Sequence, residues 1–321
     1  MFDKINNSVA PLVSVILPTF NRGKIIKRAI NSVINQTYKN WELIIIDDGS
    51  TDITSDVVGQ FLSDSRIKYL YQENGGPSAA RNLGINNARG SFLCFLDSDD
   101  EFLENKIELH LLKMRKFNAI ISISNVEVAY NNSRRIKKYS FDSFYISYLD
   151  LIDSKIGSLM NIFLNRESLE NIKFDNELSI SEDLDLILKI FKENKKILFI
   201  NHPLLRVYKT FNSNRLSLDY SNKIKNYLVL INKFKINKYN IPKEYLSLFI
   251  KKFYLEIGLF YLLNNDCKNA KEYFKKGIAI KGRYKGENKY KFIYIFVFVP
   301  KLFNSAIFIG KFLWSRGIIK F

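Results

Sequence analysis

Sulfur, imidazole and glycine-rich loops are what this chain has least of. Its 321 residues include two cysteines and two histidines. Cys94 and Cys267 show neither a metal-ligating nor a redox spacing. Cys94 lies inside an apolar run, which fits a reduced, cytosolic protein. His110, on a helix, and His202, before Pro203 in a loop, read as structural or surface residues. No Gly-x-Gly-x-x-Gly and no Gly-Lys-Ser/Thr occurs, so a phosphate cradle of backbone N–H groups is excluded. The first eleven residues contain no apolar stretch, and no secretory signal is expected.

Acid is scarce in one third of the chain only. Residues 220–321 carry 21 Lys+Arg against 5 Asp+Glu, whereas residues 1–219 carry 28 against 27. A near-neutral module of residues 1–218 therefore precedes a strongly basic one of residues 219–321. A basic module suits an anionic membrane surface or nucleic acid.

In the first module, apolar runs end repeatedly in polar loops. Residues 13–17 read as a strand stopped by Pro18, and residues 41–46 as a second strand running into Asp47-Asp48-Gly49-Ser50-Thr51-Asp52. Residues 67–71 form a third, ending in Glu73-Asn74-Gly75-Gly76-Pro77. Residues 92–96 form a fourth, ending in Asp97-Ser98-Asp99-Asp100. Helical patterns separate them: residues 25–33, residues 53–62 with Ser50 or Thr51 as cap, and residues 78–88. Strand, loop and helix in alternation imply an α/β fold with a parallel sheet and flanking helices. The loops 18–23, 47–51, 73–77 and 97–100 then line one sheet edge, where such sheets bind ligands. Asp97 and Asp99 are two apart, so on an extended chain they share a side and offer hard oxygen donors for Mg2+ or Mn2+.

Four stretches in order carry a resemblance: Val13-Ser14-Val15-Ile16-Leu17-Pro18-Thr19-Phe20-Asn21, the acidic stretch from Asp47 to Asp52, Asn74-Gly75-Gly76-Pro77-Ser78-Ala79-Ala80-Arg81-Asn82-Leu83-Gly84, and Phe95-Leu96-Asp97-Ser98-Asp99-Asp100. Over residues 12–105 the chain resembles family 2 glycosyltransferases, inverting enzymes of the Rossmann-like GT-A fold that use nucleotide sugars. The resemblance implies that Pro18, Thr19, Asn21 and Asn74 lie along the nucleotide, and that Asp48 meets the base, usually uracil. It places Arg81 near the phosphates, Asp97 on the ribose or metal side, and Asp99 on a divalent cation, Mn2+ or Mg2+. Asp100 is expected to support Asp99 or the donor sugar.

Inverting transfer needs a carboxylate to take the acceptor proton. In Ser181-Glu182-Asp183-Leu184, the two acids open a helix whose face is Leu184, Ile187, Leu188 and Phe191. Locally, Ser181 as a cap with acids at the positive helix end is the better explanation of the pattern. The family resemblance implies Asp183 as the base, with Glu182 beside the acceptor. A helix N-terminus is expected to lower the Asp183 pKa. Further strands are expected at residues 160–164, 197–200 and 205–209. Tyr208-Lys209-Thr210-Phe211 stands where many family members have Tyr-Arg-x-His, so the imidazole is missing.

Three amphipathic helices are expected in the basic module, from residue 224, over 245–263 and over 270–280. Residues 292–314 interleave apolar and aromatic residues with Lys301 and Lys311. Lys301 near the middle of a span costs roughly 2.5–3.5 kcal/mol, so helices lying in the membrane interface are expected instead. No Gln-x-x-Arg-Trp motif of processive synthases is present. The expectation is a metal-dependent glycosyltransferase, peripheral on the inner face of the cell membrane. It would pass a sugar from a nucleotide sugar, a UDP-sugar by preference, to a glycan or lipid-linked oligosaccharide, with no nucleic acid partner. The alternatives are a sugar-phosphate nucleotidyltransferase, or a membrane- or nucleic-acid-binding protein using the basic module.

Overall fold

A computed structural model describes residues 10–130, 133–137, 144–153, 161–169, 172–193, 195–209, 219–284, 287, 288 and 290. The expectations for residues 292–314, and for Thr210 and Phe211, lie outside the described residues. Two compact units divide the chain. One comprises Met1–Ile146, Ile156–Asn176 and Glu182–Asn212, the other Ser147–Lys155, Glu177–Ser181 and Ser213–Phe321.

The first unit is built on β1 (Val13–Thr19), β2 (Trp41–Asp47), β3 (Ile67–Tyr71) and β4 (Phe92–Phe95), with α1 (Ile26–Ile34), α2 (Thr54–Gly59) and α3 (Gly76–Asn87) between them. Every residue of β2 and β4 is buried, as continuous apolar runs in a sheet covered on both faces require. β1 pairs in parallel with β2 and with β4, and β2 in parallel with β3. All four therefore end at one edge, and Thr19, Asp47 and Tyr71 are register neighbours there. Close packing of α3 on β1 depends on Gly84: a Cβ at that position would lie 2.4 Å from Ile16.

Beyond β4 the sheet becomes mixed. β5 (Glu101–Phe102) and α4 (Lys106–Lys116) are followed by β6 (Ile121–Tyr130), β7 (Ser133–Lys137), β8 (Ile162–Asn165), α6 (Glu182–Lys192) and β9 (Leu198–Lys209). The strand order is β3-β2-β1-β4-β8-β6-β9-β5, with β7 on β6. β8 runs antiparallel to β4 and β6, whereas β9 is parallel to β6. The stretches 197–200 and 205–209, expected as two strands with His202 in a loop, fall from Leu198 onward in a single strand, β9. Register shifts opposite Asn125 absorb Asn201, His202 and Leu204. Pro203 has no N–H to give the ladder, and a bulge is where a strand tolerates that.

The second unit is helical: α5 (Tyr148–Ile152), α7 (Tyr220–Lys235), α8 (Lys243–Leu263) and α9 (Cys267–Ala279). Side chains supply the starts. Asp219 accepts from Asn222 N and Asp266 from Asn269 N, both at 3.0 Å, and Ser147 with Asp150 forms a capping box. Leu255, Leu259, Leu262, Ala270, Phe274 and Tyr290 make the core of the α8 and α9 pair. Among the described residues no helix is long and apolar enough to cross a membrane.

Candidate active site

The four loops at the carboxyl edge of β1 to β4 are laced together by side chains. After β1, Asn21 takes a left-handed backbone (φ 51°), which asparagine tolerates better than most residues. Its N–H donates to Ser50 Oγ at 2.8 Å, and its Oδ1 accepts from Thr51 N at 2.8 Å. Pro18 is half-buried, and Thr19 is buried with its hydroxyl unpartnered among the described residues. The expected cap of α2 by Ser50 or Thr51 is absent; Ser50 serves the Asn21 loop instead.

Asp48 is buried and organises the third loop. Its Oδ1 accepts from Gln72 Nε2 at 2.6 Å and Gly75 N at 2.8 Å, and its Oδ2 accepts from Gly76 N at 2.9 Å. The exposed Asn74 donates to the Asp48 carbonyl at 2.9 Å. Gly49 and Gly76 both have φ of 85°, a region natural to glycine, so each chain reversal here needs its Gly. With Gly76 drawn in, α3 begins there, two residues before the position read from sequence.

One turn further on, α3 presents Arg81 inward at 4% exposure. Its Nη2 bonds Asp97 Oδ1 at 2.9 Å, and its Nη1 bonds Glu182 Oε1 at 2.6 Å. One guanidinium thus joins the acidic turn after β4 to the first residue of α6, 101 positions away. Burial works against the Arg81 charge, but Glu182 and then Asp97 outweigh it and hold the group protonated. Glu182 itself is pushed up by burial, with Arg81 pulling the other way.

Asp183 lies beside this triad, partly exposed, its Oδ1 accepting from Leu184 N at 2.7 Å. The expected lowering of its pKa by the helix end is overturned. Desolvation first, and the Glu182 charge second, push it up to about 7. The single N–H bond does not offset the loss of water. Ser181 has φ of 63°, outside the extended backbone of an N-cap serine, so the capping explanation of this acidic pair loses its geometry.

Asp97 and Asp99 are partly exposed and Asp100 is buried. The turn is closed by Asp100 N donating to the Asp97 carbonyl at 2.9 Å. Asp100 Oδ1 faces the protein and accepts from Tyr208 N at 3.2 Å. His110 is fully buried, stacked on Phe163 and bonded to Ser122 Oγ, a structural residue as expected, whereas His202 is exposed on β9. Among the described residues, no group of three or more His, Cys, Asp or Glu side chains forms a ready-made cation cage. A small hard dication that keeps its waters and shares phosphate oxygens needs only one or two carboxylates, and Asp97 with Asp99 fits that demand.

An acid-lined sheet edge of this kind can hold an anionic ligand through a cation while a second carboxylate waits nearby. Residues 14–173 match the family model described as glycosyl transferase family 2. The chain is also 39% identical over 184 residues to the UDP-Glc:alpha-D-GlcNAc-diphosphoundecaprenol beta-1,3-glucosyltransferase WfgD of Escherichia coli, covering 57% of this chain and 71% of that one. The chain belongs to glycosyl transferase family 2. It is a glycosyltransferase with the GT-A fold. Among solved structures it is similar to S. aureus TarS 1-349 in complex with UDP-GlcNAc (TM-score 0.65, 18% identity, 95% of this chain and 92% of that one). It is also similar to the mannosyltransferase PcManGT from Pyrobaculum calidifontis in complex with GDP-Man and Mn2+ (TM-score 0.58, 14% identity, 98% and 90%). Those two likenesses concern the fold. The chain spans less than a fifth of the length of several other curated relatives it matches.

Reading the sequence for motifs missed the residues that hold the motifs. Gln72 on Asp48, and Arg28 on the Asp99 carbonyl at 2.6 Å, carry no local signature. Each is recognisable only from its partner.

Proposed function

We propose that this family 2 glycosyltransferase is an inverting, metal-dependent enzyme. It moves a sugar from a UDP-sugar to a lipid-linked or surface-polysaccharide acceptor in one displacement. The observation that carries the reading is the Arg81 bridge, which brings the Asp97 turn and the Glu182-Asp183 pair into one site. The UDP-Glc named for WfgD and the UDP-GlcNAc named for TarS support a uridine donor. WfgD's diphosphoundecaprenol acceptor supports a lipid-linked one.

In this reading Pro18, Thr19, Asn21 and Asn74 line the nucleoside, with Asp48 at the base edge. Asp97 and Asp99 hold the dication, which when bound neutralises the leaving diphosphate. Asp100 keeps the turn in place from behind. Arg81 serves by fixing Asp97 and Glu182. Asp183 accepts the proton of the acceptor hydroxyl as its oxygen closes on the anomeric carbon, and the nucleoside diphosphate departs from the opposite side. A base with a pKa near the working pH combines availability with proton affinity. Because Asp183 must be ionised, turnover rises with pH through about 7.

Residues 1–218 form the catalytic domain in this proposal, and the basic residues 219–321 hold it at the inner face of an anionic membrane. The test is a panel of nucleotide sugars assayed for metal-dependent release of the nucleotide, with and without a polyprenyl-diphosphate-linked sugar. A UDP-sugar turned over only with Mn2+ or Mg2+ supports the reading. Turnover unaffected by EDTA removes the metal from it, and normal turnover by Asp183→Asn removes the base.

A further inference from the structure

Three carboxylates within four residues repel one another, so the Asp97 to Asp100 turn has to be held by something outside it. The structure supplies a rail. Arg28 and Ser32 of α1, and Gln36 just past its end, are spaced i, i+4, i+8 and so share one helical face. Each bonds the segment from Asp99 to Ile107, within or just after the acidic motif. Arg28 Nη2 donates to the Asp99 carbonyl at 2.6 Å, and Ser32 Oγ accepts from Phe102 N at 3.1 Å. Gln36 Nε2 donates to the Leu103 carbonyl at 2.9 Å, and its Oε1 accepts from Ile107 N at 3.1 Å. Thr37 N adds a bond to the Glu104 carbonyl at 2.9 Å.

On its other side the same segment is tied to β9. The Arg28 guanidinium lies 3.5 Å over the ring of Tyr208. Tyr208 N holds Asp100 Oδ1, and Tyr208 OH donates to Glu101 Oε2 at 2.6 Å. Arg206, two residues back, bonds Glu101 at 2.9 Å and Glu127 at 3.1 Å, which fixes the strand end carrying Tyr208. Arg28 is therefore the point where rail and strand meet, and it places a cation on the backbone of the acidic turn. Its planar, delocalised charge both stacks and donates, which a lysine does less well.

We infer that Arg28, seated on Tyr208, is a positioning residue that presets the Asp97 to Asp100 turn for a donor diphosphate and its dication; this rests on the donor role proposed above for Asp97 and Asp99. A preset turn need not be ordered at the moment of binding, so donor affinity gains. The gain should appear only when the cation is present, because Arg28 acts on the carboxylates that hold it.

The test is calorimetric titration of the full chain with UDP, and in parallel GDP, in MnCl2 and in EDTA. The tighter nucleotide is carried forward. Wild type should bind more tightly with Mn2+. Arg28→Met should weaken Mn2+-supported binding about tenfold, the scale of one charge-assisted hydrogen bond, and leave the EDTA value within about twofold. Arg28→Lys should fall between. A folded Arg28→Met, with an unchanged thermal midpoint and Mn2+-supported binding within about twofold of wild type, overturns the inference. Wild type binding equally well in Mn2+ and EDTA, or binding neither nucleotide, overturns the donor role and this inference with it. If Arg28→Met fails to fold, Tyr208→Leu decides, since its backbone N–H still reaches Asp100. About threefold weaker Mn2+-supported binding sustains the inference, and unchanged binding overturns it.

Discussion

Two buried cations in the first unit are treated in opposite ways. Arg81 is 4% exposed and meets two carboxylates; Lys106, fully buried at the start of α4, is held by an amide and an aromatic ring. Lys106 Nζ bonds Asn161 Oδ1, stands 3.5 Å from His110 Nε2 and lies 4.8 Å from the centre of Phe102. Asn161 in turn donates to Ser124 Oγ at 2.6 Å and His110 bonds Ser122 Oγ at 2.7 Å, both hydroxyls on β6. Burial is the largest influence on both cations, and it disfavours charge in both. At Arg81 the acids win and the charge stays. At Lys106 desolvation wins, and its pKa falls to about 7. Charge is held firmly where the acidic turn and the Glu182-Asp183 pair meet, and is weakened where a side chain only fills and links the interior.

The largest effect should come from the carboxylate next to the Arg81 triad. Asp183→Asn keeps the shape of the side chain and should lower transfer by about 10²–10⁴-fold, the range of a general base, with an unchanged circular dichroism spectrum. Next, Arg81→Met leaves Glu182 buried without its cation and should destabilise the fold by about 3–5 kcal/mol in urea unfolding. Any residual activity should move to higher pH, because Arg81 is one of the groups holding the Asp183 pKa down. Lys106→Met should cost less, about 1–3 kcal/mol, for the carbonyl of Asn161 left without its donor. If the two substitutions cost the same, the contrast between a fully charged and a partly neutralised site is wrong.

The last effect is one of slope. Lys106 has a folded pKa below its unfolded value, so the unfolded chain binds more protons between about 7 and 10.5. Stability from this group is complete above the unfolded pKa and is lost as pH falls toward 7. The wild-type thermal midpoint, measured relative to Lys106→Met, should therefore rise from pH 7 to pH 9.5. A flat difference would mean that Lys106 stays charged in the interior. Asp183 has the reverse sign: its folded pKa is raised, so stability present below about pH 4 is lost as pH rises through about 7. Against Asp183→Asn, the wild type should lose relative stability over that window.

Much of the candidate site is legible in the sequence because it is written in short segments. Buried strands that end in acids or in Asn-Gly-Gly announce both the sheet and its candidate ligand edge, and Asp97, Asp99 and Asp183 stand out by their neighbours. The supporting residues do not. Arg28 looks like an outer-face residue of an amphipathic helix, yet its partner lies 71 residues away. Lys106 looks like an exposed basic residue at a helix start and is fully buried. His202-Pro203 reads as a break, and the strand passes through it with a bulge.

The division has a physical basis. Strand direction follows from local pattern and from the handedness of the crossovers, so the shared edge for the four loops was already implied by the order of segments. Charge state is not local. The field of the α6 N-terminus on Asp183 can be inferred from residues 181–184. The desolvation that overrides it arises only when the folded chain buries Asp183, and the bridge from Arg81 to Glu182 and Asp97 likewise exists only in the fold.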